Sequence, residues 1–210
     1  MHKPSATALQ SRARTLLEQM TERERWIYAL PPREAATHLR KTFEGHGFAA
    51  CEEENEGAVV RFVDSPESAS FVVLDRPDLE VTLVEAQGNG AVGALGALLK
   101  ETGFFAQSAL LSSAFDVGTC DAKEALLTLA HMVVAWDDDW ADLFLLHLAA
   151  PDPVVRHDAV TALTVAAMVA RDRGPALELL AEAAQRETFP KLKGTIDEAK
   201  KVVEAIAPPA

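Results

Sequence analysis

The sequence predicts an α+β chain: N-terminal helices with a small antiparallel sheet, followed by a short array of α-helical repeats. Three observations carry that prediction. Short runs rich in Val and Phe, separated by turn residues, occupy residues 48–85. From Asp121 onward the apolar residues follow helical spacing and no strand pattern returns. Within that second stretch the helical pattern repeats itself. Residues 1–120 are expected to form an α+β region with an antiparallel meander. Residues 121–210 are expected to form helical repeats, packed separately or as one unit with the first region.

In chain order, Ser5 to Leu30 places Leu9, Leu16, Leu17, Met20, Ile27 and Leu30 at mostly helical spacings. Thr21 with Glu24 reads as a capping box, which points to two helices rather than one. Pro31-Pro32 ends the segment and suits the first turn of the next helix. That helix runs to about Glu44, with Leu39 and Phe43 as its apolar edge, and Gly45 or Gly47 supplies a left-handed stop. Strands are expected at Ala58–Asp64, Ala69–Asp75 and Glu80–Glu85, with Phe48–Glu53 as a candidate fourth. Val59, Arg61 and Val63 then share one face, and Val60 and Phe62 the other. Gln87-Gly88-Asn89-Gly90 leads into a helix over Ala91–Thr102, and a short helix over Phe104–Ala114 follows Gly103.

The second half reads as helices over Ala122–Trp136, Trp140–Leu148, Val154–Ala170, Pro175–Arg186 and Ile196–Ile206. Asp137-Asp138-Asp139, Pro151-Asp152-Pro153 and Thr188-Phe189-Pro190 interrupt them. A shift of 34 residues places Ala125 on Ala159, Leu129 on Leu163, Val133 on Ala167 and Leu143 on Leu177. Ala199 and Val203 repeat Ala159 and Leu163 at a shift of 40. Paired helices recurring at this interval are the sequence sign of an α-solenoid.

The string from Pro151 to Leu163 contains Asp152-Pro153, then Val155-Arg156, then Ala159 and Ala162-Leu163. It resembles the second-helix signature of HEAT repeats. The resemblance is good over about 20 residues around this string, weak over the rest of 121–210, and does not extend to residues 1–120. It implies that the Val, Ala and Leu positions are buried between helices. It further implies that Asp152 and Arg156 are structural, supporting contacts between repeats, and that the array is a short protein-binding scaffold.

Charge narrows the function. The chain carries 20 Lys and Arg against 32 Asp and Glu, a net −12. Residues 1–45 sum to +3, residues 46–120 to −9 and residues 121–210 to −6. Phosphate neutralisation needs clustered positive charge, so nucleic acid is not an expected partner. Arg171, Arg173, Arg186, Lys191 and Lys193 are the one candidate basic cluster, and they sit in a half that is itself acidic. The run Glu52-Glu53-Glu54-Asn55-Glu56 reads as a solvated hairpin tip, with a contact surface for a basic partner as the alternative.

Cys51 and Cys120 are too few for a disulfide framework and form no metal-binding spacing. Both are expected to be reduced, buried structural residues, with one disulfide between them as the alternative. Met1 to Met20 contains no continuous apolar stretch of the kind that directs secretion. The most apolar segments, Leu126–Trp136 and Ala159–Ala170, are too short to span a bilayer. A cytoplasmic protein without a membrane partner is expected.

Three strings carry residue types that could do chemistry. Gly88-x-Gly90-x-x-Gly93 completes a GxGxxG pattern, but it follows a meander rather than the first strand of a βαβ unit, so it reads as a turn into a helix. Trp136, Asp137, Asp138, Asp139 and Trp140 form the most unusual local string. Its aspartates suit helix capping, and a Trp exposed beside acid makes an anchor for a basic or aromatic partner. These five are the candidate binding residues. His157-Asp158, with His131 and either Asp172 or Asp197, supplies the residue types of an HD-type metal site, but the pair lies inside the HEAT-like signature. No GxSxG nucleophile motif is present.

The function expected is therefore a non-enzymatic protein-binding module or adaptor without a cofactor, its acidic surface engaging another, basic protein. A bacterial immunity protein fits the same charge and size. The alternative is a metal-dependent hydrolase with a His/Asp site between the halves.

Overall fold

A computed structural model describes residues 25–32, 35–54, 59–64, 69–88, 90–136 and 138–206. For residues 35–38, 52–54, 101–102 and 138 it describes the backbone alone. The helix expected over Ser5–Met20 and the capping box Thr21/Glu24 lie outside these residues. The chain is mixed α+β and divides into two compact units, residues 1–104 and 105–210. The sequence pattern drew its boundary at 120/121; the two divisions differ by the segment carrying one short helix.

In the first unit the element order is β1 (Arg25–Leu30), α1 (Ala35–Gly45), β2 (Phe48–Glu54), β3 (Val59–Asp64), β4 (Ser70–Arg76), a 3-10 turn (Pro77–Leu79), β5 (Val81–Gln87) and α2 (Ala91–Thr102). The five strands form one antiparallel sheet in the order β1-β5-β4-β3-β2. The expected meander is present as β2 to β5, and Phe48–Glu54 is its first strand. Side-chain alternation sets the register: Phe62 faces Phe71 and Val60 faces Val73 on one side of the sheet. On that side Phe43 of α1 stacks on Phe71 at 4.2 Å and touches Phe62 at 4.8 Å. Leu95 and Leu98 of α2 complete the same core.

Residues 25–30 correct the sequence reading. They form a strand, not the end of a helix, pairing with β5 from Arg25↔Gln87 to Leu30↔Thr82. The physical reason is burial on both faces. Trp26, Ile27, Ala29 and Leu30 are all 9% exposed or less. Period-two alternation is therefore absent, and a short apolar run without it cannot be told from a helix by spacing. The Glu85 carboxylate holds the Arg25 guanidinium through Nε and Nη2 and anchors the start of the strand.

Gly88 ends β5 with φ +85°, a left-handed conformation that costs a glycine least, and its carbonyl accepts from the Ala91 amide at 3.0 Å. The strand before it lies between two antiparallel neighbours.

The second unit is helical: α3 (Gln107–Ala114), α4 (Cys120–Ala130), α5 (Asp138–Leu148), α6 (Pro153–Ala170), α7 (Gly174–Arg186) and α8 (Pro190–Glu204). Two boundaries differ from those expected by more than a helical turn, and α3 begins at Gln107 rather than Phe104. α4 stops at Ala130 rather than Trp136. His131 and Met132 close a tighter last turn onto Thr128 and Leu129, and β-branched Val133 and Val134 follow in non-helical backbone. α8 begins at Pro190 rather than Ile196, because a proline at the first helical position starts a helix instead of breaking one. Thr119 caps α4 by accepting from the Ala122 amide at 3.0 Å.

The helices pack in alternation. α4 lies against α6 and α6 against α8, while α5 lies against α7 and both rest on α6; α3 packs on α4. Ala125, Ala159 and Ala199 are buried on α4, α6 and α8, and so are Leu129, Leu163 and Val203 one turn later. The turns are also tied to one another. Trp136 Nε1 donates to the Asp172 carbonyl at 3.1 Å, and Arg173 Nη1 donates to the Glu204 carbonyl at 2.9 Å. Among the described residues, no helix is long and apolar enough to cross a membrane. Cys51 and Cys120 are both free, and both are exposed rather than buried as expected.

Candidate functional site

The Trp136–Trp140 string delivers less to the surface than its composition suggests. Trp140 is 6% exposed and belongs to the core of the helical unit. Trp136 is half-buried, its ring 5.8 Å from that of Phe144 and its indole N–H spent on Asp172. Two indoles on a turn between packed helices are better stabilised inside than in water, so neither is an exposed anchor. Asp137 lies outside the described residues, and Asp138 opens α5 with only its backbone described. Asp139 is exposed.

What replaces the tryptophan anchor is a face. α5 and α7 touch each other and both rest on α6, and each keeps an outward stripe. On α5 that stripe is Asp139, Asp142, Leu146 and Ala149, all exposed and spaced at three or four residues. On α7 it includes Glu178 and Glu182. Leu146 is 42% exposed in the middle of the α5 stripe. The one Lys or Arg on either helix is Arg186, and it pairs with Glu182 four residues earlier. His147, on the inner side of α5, is buried; its Nε2 lies 2.7 Å from the Ala114 carbonyl. Desolvation holds its pKa below the ordinary histidine value, partly opposed by that hydrogen bond.

Asp152 and Arg156 sit at the α5–α6 turn. Asp152 is the N-cap of α6, accepting from the Val154 amide at 2.8 Å. Arg156 donates through Nε and Nη2 to both Glu187 oxygens at 2.8 and 3.0 Å, and through Nη1 to the Ala150 and Pro151 carbonyls at 2.8 Å each. Glu187 Oε1 also accepts the Thr188 and Phe189 amides. One guanidinium thus fastens the α5–α6 turn to the α7–α8 turn. The Arg156 hydrogen bonds hold the Glu187 carboxyl down at about 2, with the two backbone amides adding to the effect against the cost of burial. Sequence reasoning missed Glu187. Its one signal was an acid beside the Thr188-Phe189-Pro190 break, in the second turn of the same kind after Arg156.

Arg156 and Glu187 line a cleft of about 350 Å³ whose apolar wall includes Leu148, Val160, Leu192 and Ile196. It is built wholly within the helical unit.

The other strings assemble nothing comparable. His157 is exposed with Nδ1 3.7 Å from its own neighbour Asp158, and Asp158 pairs with Lys123 at 3.2 Å. Among the described residues, no three His, Cys, Asp or Glu side chains stand close enough to hold a metal ion. Set against protein-family models, curated proteins and solved structures, the chain matches none of them.

Proposed function

We propose that the chain is a non-enzymatic protein-binding module, an adaptor whose short HEAT-like helical array presents the acidic face of α5 and α7 to a basic protein partner. The observation that carries this reading is the face itself. Asp139 and Asp142 share the exposed stripe of α5 with Leu146, Glu178 and Glu182 are on α7, which contacts α5, and Arg186, the one Lys or Arg on either helix, pairs with Glu182. A partly exposed aliphatic side chain on a helix stripe that carries carboxylates combines an apolar anchor with a charged rim. The rim steers a basic partner and excludes an acidic one. The repeat reading draws support from the packing of α4 on α6 and of α6 on α8, with α5 and α7 resting on α6, and from the burial of the residues that the 34- and 40-residue shifts align.

The test is affinity capture from native lysate at low and moderate salt with mass spectrometry, comparing the wild type with Asp139→Lys/Asp142→Lys. Both positions are exposed, so the variant keeps its fold. A stoichiometric basic protein retained by the wild type, released by salt and lost from the variant is the expected result. Equal capture by both chains would remove α5 from the interface.

A further inference from the structure

The exposed stripe of α5 has the spacing of a helix-packing seam. Asp139, Asp142, Leu146 and Ala149 follow one another at intervals of three, four and three residues, the rhythm along which a second helix lies. They span about 15 Å, roughly three turns. Ala149 follows the last helical residue, and its amide still bonds the Leu145 carbonyl at 3.0 Å. The rotation of the stripe is fixed from behind. Trp140, Leu143, Phe144 and Leu148 are all 9% exposed or less and belong to the core of the helical unit.

The stripe is also polarised along its length. Its first half is two exposed carboxylates, Asp139 and Asp142, on a helix without Lys or Arg. Its second half is apolar. Leu146 is 42% exposed, so a partner has side-chain surface left to cover, and exposed Ala149 is small enough for a close approach. A helix face offers a partner side chains only, because its backbone groups are spent on the helix itself. An added strand would find no ladder to join, whereas a ridge with helical spacing suits the side chains of another amphipathic helix. The carboxylates repel nucleic acid.

We propose, resting on the reading of this face as a docking site for a basic protein, that the partner engages it through one amphipathic α-helix laid along α5. Its Lys or Arg side chains stand opposite Asp139 and Asp142, and an aliphatic side chain about two turns further along the same stripe covers Leu146 and Ala149. The match is selective. A helix whose cations and aliphatic residues lie on different faces meets the carboxylates or Leu146, not both. Charge governs encounter and the choice of partner, and the covered Leu146 slows release. A stripe of about three turns is a small interface, so the complex is reversible.

The experiment titrates the ¹⁵N-labelled full chain, followed by its backbone amide spectrum, with an alanine- and glutamine-based peptide of about 18 residues. The peptide carries two leucines and two arginines on one stripe at the spacing of the α5 residues. One comparison peptide has the same composition with the leucines moved to the opposite face, and another interrupts the striped sequence with a central proline. The expected result is saturable shifts centred on residues 139–149. They should weaken about tenfold for both comparison peptides and for Asp139→Lys/Asp142→Lys, and about fivefold for Leu146→Ser. All three substituted positions are exposed, so the variants keep their fold. Equal binding of a comparison peptide, unaltered binding by Leu146→Ser, or shifts lying off α5 would overturn the docked helix and leave the acidic face standing. An absence of shifts with every peptide would overturn the helix alone if native lysate still yields a basic protein dependent on Asp139 and Asp142, and both readings if it does not.

Discussion

Glu187→Gln removes the charge at the centre of the Arg156 clasp while keeping its size. In the wild type, Glu187 is 3% exposed at its side chain and takes two hydrogen bonds from Arg156 and two from backbone amides. The glutamine can keep the amide bonds but turns a neutral NH₂ toward a guanidinium that has lost its counter-ion. Breaking one half of a buried pair costs about 3–5 kcal/mol. Linkage reaches a similar figure independently. A carboxyl held at about 2 instead of 4.5 contributes on the order of 3 kcal/mol at neutral pH. Since the folded pKa is the depressed one, that contribution is complete above the ordinary carboxylate pKa and fades as pH falls from there toward 2. Urea unfolding followed by circular dichroism at pH 7 and pH 3 reads both effects. The variant should be about 3 kcal/mol less stable at pH 7, with the gap narrowing at pH 3. A gap under about 1 kcal/mol at pH 7, or one that acid leaves unchanged, would refute the clasp as a source of stability.

His147, buried against the Ala114 carbonyl with a lowered pKa, stabilises the fold fully above the ordinary histidine value and less as pH falls below it. His147→Leu should flatten the fall in melting temperature between pH 7 and pH 5 even as it lowers stability overall. Leu163→Ala, at a fully buried position on α6, should cost about 2–5 kcal/mol in chemical unfolding. Gly88→Ala, at φ +85°, should cost about 1–2 kcal/mol without altering the circular dichroism spectrum of the folded chain.

Local chemistry was legible where one rule governed a segment. The β2–β5 meander followed from alternation and turn residues: Asp64, at the start of the turn before Ala69, accepts the Ala69 amide at 2.8 Å. α2 runs over Ala91–Thr102 as its spacing indicated. Asp152 was legible as a structural residue only through the HEAT-like string, and it caps α6. Segments governed by tertiary burial were not legible. β1 hides its strand character because both of its faces are covered. α4 ends early because Val133 is needed in the core without helical backbone. Trp140 looked like an anchor because a sequence shows that a tryptophan stands beside acid, not which side of α5 it occupies. The acidic face was legible only as a charge sum until α5 and α7 were brought side by side.

Site-specific photo-crosslinking from position 146 most directly tests the claim that this face recruits a basic protein. A benzophenone side chain replaces Leu146, and the same group at exposed Glu198 on α8 serves as the control. The account predicts one dominant basic protein cross-linked from position 146, absent from position 198 and lost when Asp139→Lys/Asp142→Lys is combined with the probe. Identical adducts from both positions, or a partner that is itself acidic, would contradict it.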